Sequence, residues 1–73
     1  MYEKHYETYR ITLSNNIKKY RKELGIAQEK LALEAGVDRT LVSKIERQIA
    51  NPSLEIMIRL AIALNVNVSD LLN

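Results

Sequence analysis

Between Gln28 and Ile45 the chain reads QEKLALEAGVDRTLVSKI, and four positions in that stretch leave little freedom in how it folds. Ala32 lies mid-way along a first apolar-periodic run. A second helix can cross closely there, and a larger side chain would push the two apart. Gly36 falls where the chain must reverse, so a left-handed backbone conformation is expected, which glycine adopts without a Cβ penalty. Val42 and Ile45 stand three residues apart on the second run. They bury one side of it and leave the opposite side free to meet a ligand. The spacing predicts two short helices crossing through a sharp turn.

Five helices can be read in all, with short connections. The first is expected from about Ser14, a plausible N-cap, to Leu24, with Leu13, Ile17, Tyr20, Arg21 and Leu24 on one face and Gly25 as terminator. The second runs from Gln28 to Ala35; its cap position holds Ala27, which cannot accept a hydrogen bond from the first turn. The third runs from Arg39 to Arg47 behind Asp38, an N-cap whose charge suits the positive end of the helix dipole. After the Gln48–Pro52 loop, Asn51-Pro52-Ser53 signals a fourth helix over Leu54–Leu64. Its expected core stripe is Leu54, Met57, Ile58, Ala61 and Leu64, with Asn65 as a left-handed terminator. A short fifth helix, Val68–Leu72, starts at Asn67, with Asp70 completing a capping box. The expectation is an all-α chain: an N-terminal extension over residues 1–13, then one domain over 14–73.

A chain of 73 residues makes a small core, so efficient helix packing or self-association must supply stability. There is no cysteine and only one histidine, His5, which leaves no disulfide, no metal site and no implied cofactor. With two aspartates and no glycine-rich loop there is also no catalytic constellation, so no enzyme is expected. No apolar run approaches the ~20 residues of a membrane span, and MYEKHYETYR lacks the apolar segment of a signal peptide. A cytoplasmic location, away from membranes, is expected.

Two helices crossing through a tight turn form a helix-turn-helix, which presents its second helix to the DNA major groove. The formal charge of +2 says little about nucleic acid, but its distribution says more. Lys18, Lys19, Arg21 and Lys22 cluster at one end. Arg39, Lys44 and Arg47 line the second helix of the pair, while Glu29, Glu34, Glu55 and Asp70 mostly fall elsewhere. A lysine-rich helix alone is more often a solvated face; beside the crossing pattern, a DNA-facing surface becomes the better reading.

The residues then match a family. Ile17, Arg21, Gly25, Gln28, Leu31, Ala32, Ala35-Gly36-Val37, Val42-Ser43, Ile45-Glu46-Arg47, Asn51-Pro52-Ser53-Leu54, Ala61, Leu64-Asn65-Val66 and Asp70-Leu71-Leu72 resemble the Cro/C1-type helix-turn-helix repressors, the XRE family. Asp38-Arg39-Thr40 followed by Ser43 and Ile45-Glu46-Arg47 looks most like the small controller proteins of restriction–modification systems. The resemblance implies a compact five-helix bundle of the lambda-repressor-like DNA-binding type, with the helix-turn-helix at helices two and three. Two departures bear on shape: Ala27 stands where the family has Ser or Thr, and Gln48 where it has Gly. Ile56 and Ile62 replace residues that are commonly polar.

The resemblance implies base contacts from Arg39, Thr40, Ser43 and Lys44, with an arginine–guanine pair giving ~1–3 kcal/mol of discrimination. Leu41 is read as packing at the helix edge. Phosphate contacts are expected from Gln28, at a helix start, from Arg47 and Asn51, and more weakly from Asn16 and Lys18. Arg21 and Glu46 are implied as a partly buried ion pair joining the first and third helices. A homodimer on a near-palindromic operator is implied, with Ile56, Ile62, Leu71 and Leu72 at the dimer surface and autoregulation in place of a sensing domain. Glu29 sits where relatives present an acid to RNA polymerase, although Leu33 supplies no second acid. Tyr2, Tyr6, Tyr9 and Leu13 form a helical stripe in the extension, read as packing on the bundle, with an added dimer contact or a DNA arm as the functional alternative. A protein-interaction module, such as an antitoxin-like partner in which DNA binding is secondary, is the competing reading of the whole.

Overall fold

The structure, a computed structural model, describes residues 1–73 and is all-helical. Its elements are α1 (Glu3–Glu23), α2 (Gln28–Ala35), α3 (Arg39–Glu46), α4 (Leu54–Leu64) and α5 (Val68–Leu71). Every helix contributes to one core: Leu13 and Ile17 from α1, Leu31, Ala32 and Ala35 from α2, Val42 and Ile45 from α3, Leu60, Ala61 and Leu64 from α4, and Leu71 from α5.

Three expectations need correction. Ser14 is not an N-cap, because α1 begins at Glu3 and passes through it without a break. No glycine or proline interrupts the chain before Gly25, and the buried Ser14 hydroxyl instead donates to the Glu46 carbonyl at 2.7 Å. In α4 the core face is Leu60, Ala61 and Leu64, whereas Leu54 and Ile58 are exposed. Ile58 and Leu60 are both apolar, and only the placement of α4 against its neighbours decides which one turns inward. Leu71 is fully buried in the core and has no surface to offer a second subunit.

Helices α1 to α4 end in one way. The residues Gly25, Gly36, Gln48 and Asn65 all have φ between 62° and 68°. At each, that residue's N–H bonds the carbonyl three back and the next N–H bonds the carbonyl five back, as in Gln48 to Ile45 and Ile49 to Lys44, both 3.0 Å. This pattern consumes carbonyls left free at a helix end. Three of the four positions hold glycine or asparagine. Gln48 takes the same left-handed conformation with a full side chain, which costs about 1–2 kcal/mol.

The turn from α2 to α3 positions the rest. Gly36 reverses the chain, and Asp38 then caps α3, its carboxylate accepting from the Thr40 N–H at 2.7 Å. Ser53 caps α4 in the same manner through the Ile56 N–H, at 3.1 Å. Ala27 has the extended backbone of an N-cap but makes no such bond.

Glu46, at the end of α3, is 7% exposed and ties three helices together. Its Oε2 accepts from Arg21 Nε at 2.7 Å, and its Oε1 from Arg21 Nη2 at 3.0 Å and from Gln28 Nε2 at 3.1 Å. Arg21 Nη1 donates to the Ile26 carbonyl at 2.9 Å. Burial pushes the Glu46 carboxyl up and is the largest single influence. The hydrogen bonds from Arg21 and Gln28, with the charges of Arg21 and Lys18, together outweigh it and hold the group below its ordinary value. The hydrogen bond to Glu46 raises Arg21 correspondingly.

Gln48→Gly should stabilise by about 1 kcal/mol, and Ala27→Ser by a similar amount through a new cap. Each should raise the melting temperature by about 4–8 °C, and an unchanged or lower value for Gln48→Gly would show that its backbone is not strained. The lowered Glu46 carboxyl contributes stability that is complete above the unfolded glutamate value and is lost as pH falls through the folded one. Urea midpoints should therefore be flat from pH 7 to about 5 and decline below about pH 4, with a shallower decline in Glu46→Gln.

Candidate nucleic-acid interface

The eight residues of α3 divide into two faces. Val42, Ile45 and Glu46 turn inward and are buried, and Leu41 packs against the core from the edge. Arg39, Thr40, Lys44 and the following Arg47 are exposed, and Ser43 is half-exposed. Because 3.6 residues make a turn, Arg39, Thr40, Ser43 and Arg47 share one side, whereas Lys44 lies about 140° around the helix from Arg39.

On that side the side chains of Gln28, Arg39, Thr40, Ser43 and Arg47 line a polar depression of about 280 Å³. No apolar and no acidic residue borders it. Two guanidinium groups face a space with hydroxyl and amide partners, a donor-rich surface that suits phosphate and guanine edges. The Asp38 carboxylate is occupied by the Thr40 N–H. Arg39 makes no ion pair with it or with any other acid.

Gln28 stands at the first turn of α2 beside the unbonded N–H groups of that helix end. Its amide nitrogen is committed to Glu46, so this side chain braces α3 and borders the depression at once. The ion pair expected between Arg21 and Glu46 is present, with the two side chains 15% and 5% exposed.

The remaining expected contact residues scatter. Lys18 is half-buried and its charge acts on Glu46. Asn51 is exposed but lines a second, apolar groove away from α3's polar face. Asn16 is a correction: its amide donates to the carbonyls of Leu71 at 3.0 Å and Asn73 at 3.1 Å, which fastens α1 to the chain's last residues. Both amide hydrogens are therefore engaged away from the depression. Ile56 is another, being half-buried and packed on the core. Ile56 and Ile62 are six residues apart and so lie about 120° from each other around α4. Only Ile62 is open, 72% exposed, in line with Leu54 and Ile58. Leu72 is half-buried at the apolar groove.

The groove itself, of about 470 Å³, escaped the sequence reading because its walls come from distant segments: Tyr6, Tyr9 and Arg10 on α1, Ala50 to Pro52 after α3, and Leu72 after α5. The tyrosine spacing was the one signal available for it. No cluster of three or more metal-ligating side chains is present, and no helix is long and apolar enough to cross a membrane.

The helix-turn-helix family model HTH_3 matches residues 17–71. The transcriptional regulator SinR of Bacillus licheniformis is 40% identical over 62 residues, a match that covers 84% of this chain and 56% of SinR. The chain thus spans little more than half of that relative. Among solved structures, the restriction–modification controller protein C.AhdI of Aeromonas hydrophila superposes with a TM-score of 0.82 at 32% identity, covering 85% of this chain and 94% of C.AhdI. SinR in complex with DNA superposes with a TM-score of 0.80 at 39% identity, covering 84% of this chain and 98% of that one. Alike in the sequence that makes the crossing helices and in the way they cross, this chain belongs to the HTH_3 family of helix-turn-helix domains, whose matched relatives are DNA-binding transcriptional regulators rather than enzymes.

Proposed function

We propose that the chain is a transcriptional regulator that reads specific double-stranded DNA through α3 and acts as a homodimer on a near-palindromic operator, including that of its own gene. The observation that carries this reading is the convergence of Arg39, Arg47, Thr40, Ser43 and Gln28 on one depression without an acidic residue. Arg39 sits at the N-terminal end of α3, the part of a recognition helix that enters the groove first. Thr40 and Ser43 flank it for base edges, Lys44 reaches a base or a phosphate from the adjoining side, and Arg47 and Gln28 hold phosphates. The solved complex of SinR with DNA supports the same use of this fold.

A two-fold axis sets two copies of α3 about 34 Å apart, one turn of DNA. Exposed apolar residues suited to self-association occur on two faces, Ile62 with Leu54 and Ile58 on α4, and the groove beside Leu72. Regulation then follows protein concentration through dimerisation. Glu29, exposed on α2, is the candidate contact for RNA polymerase in an activating arrangement.

Competition binding against selected operator and random duplex tests this. Arg39→Ala should weaken the operator by about 1–3 kcal/mol and random DNA much less, and Gln28→Ala should weaken both. Wild-type affinity should fall steeply between about 50 and 200 mM salt. Equal losses on both duplexes for Arg39→Ala would remove its role in reading bases. A chain that ignores duplex DNA at low salt would replace this function with that of a protein-interaction module.

A further inference from the structure

At 21 residues, about 31 Å, α1 runs most of the long axis of a molecule 36 × 21 × 20 Å in extent, and its residues 3–12 reach past the shorter helices. Nearly every side chain in this stretch is exposed, Tyr6 at 39% and Tyr9 at 53% among them. A helical segment of this length gains little stability without tertiary packing. Tyr6 and Tyr9 nevertheless border the apolar groove, together with Leu13, Met57, Pro52 and Leu72.

The charges beside the tyrosine stripe lie on one flank. Arg10 is three residues after Glu7 and seven after Glu3, positions that neighbour one another along a helix surface. Arg10 makes no ion pair with either. Its guanidinium lies 5.3 Å from the centre of the Tyr6 ring, and its Nε is buried without a hydrogen-bond partner. The covered Nε lies beyond a second chain's reach, but the outer Nη atoms make no ion pair and are the part of Arg10 that a carboxylate can meet. Glu7 has no ionic partner, and Glu3 meets only the amino terminus.

We infer that the groove is occupied by the projecting half of α1 from a second copy of this chain, laid antiparallel so that the tyrosines of each fill the groove of the other. A two-fold axis across paired helices brings like flanks together, so Arg10 of each copy faces Glu3 and Glu7 of the other. The segment is complementary to itself. It is poorly suited to DNA, because Lys4 and Arg10 are cancelled by Glu3 and Glu7 and phosphate binding needs a net positive surface. The stripe on α4 is the weaker alternative: its neighbours Glu55 and Arg59 pair with each other at 3.0 Å and leave no unmet charge. The proposal rests on the homodimer named above and assigns its contact surface.

Sedimentation equilibrium on the full chain tests it, with circular dichroism confirming that each variant is folded. Wild type should dimerise. Arg10→Glu alone, and Glu3→Lys with Glu7→Lys alone, should each raise the dimer dissociation constant at least about tenfold, since each places like charges face to face. An equimolar mixture of the two variant chains should restore the dimer, and Ile62→Glu should leave the wild-type dimer unchanged. Dimers that persist in both variants, a mixture that stays monomeric, or a dimer abolished by Ile62→Glu would each overturn the assignment. So would variants that dimerise normally and lose duplex affinity, since α1 would then follow DNA. A wild type that dimerises as described but binds no duplex would leave this surface standing and remove the operator reading alone.

Discussion

A single carboxylate sets the orientation of α3 against α1 and α2. Glu46 is the last residue of α3, and it is held by Arg21 of α1 and Gln28 of α2, while its own carbonyl accepts from Ser14. An eight-residue helix has no stability of its own in water. What holds α3 rigid is the burial of Val42 and Ile45 beneath it and the anchoring of its C-terminal end through Glu46. Removing either partner leaves the other buried and uncompensated, which costs about 3–5 kcal/mol in comparable pairs. The interaction therefore serves orientation as much as stability.

The same residues keep the polar face outward. With Asp38 engaged at the N-cap and Glu46 turned inward, no acid competes for Arg39 or Arg47. Gln28 links the two sides of this division, since its amide braces Glu46 while its backbone starts α2 beside the depression. At the far end of α1 the projecting half exposes its tyrosines and leaves Arg10 without an ion pair.

The helix-turn-helix was legible because its constraints are local. Gly36, Ala32, Asp38 and the Val42/Ile45 spacing each specify backbone or packing within a few residues, and the first four helix terminators fall at Gly25, Gly36, Gln48 and Asn65. Gln48 was visible as an odd residue at the end of α3, and the left-handed turn there explains why a glycine is usual. The failures are tertiary. Ser14 carries a capping residue's chemistry, and only the distant Glu46 carbonyl makes it a buried donor instead. Leu54, Ile58 and Leu60 are equally apolar, so the inward face of α4 depends on where α2 and α5 lie. Asn16 resembled a phosphate ligand at a helix start until α1 proved to begin eleven residues earlier than Ser14. The groove joins segments some fifty residues apart, and no pattern along the chain describes it.

The most direct test of α3 as a preorganised reading surface is to titrate the isotope-labelled chain with a selected duplex and follow backbone amide resonances. The account predicts that perturbations concentrate at Gln28 and across residues 38–47, with helicity unchanged and residues 54–62 of α4 little affected. Perturbations centred on α4 or on residues 3–12, or an α3 that orders only when DNA is added, would contradict it.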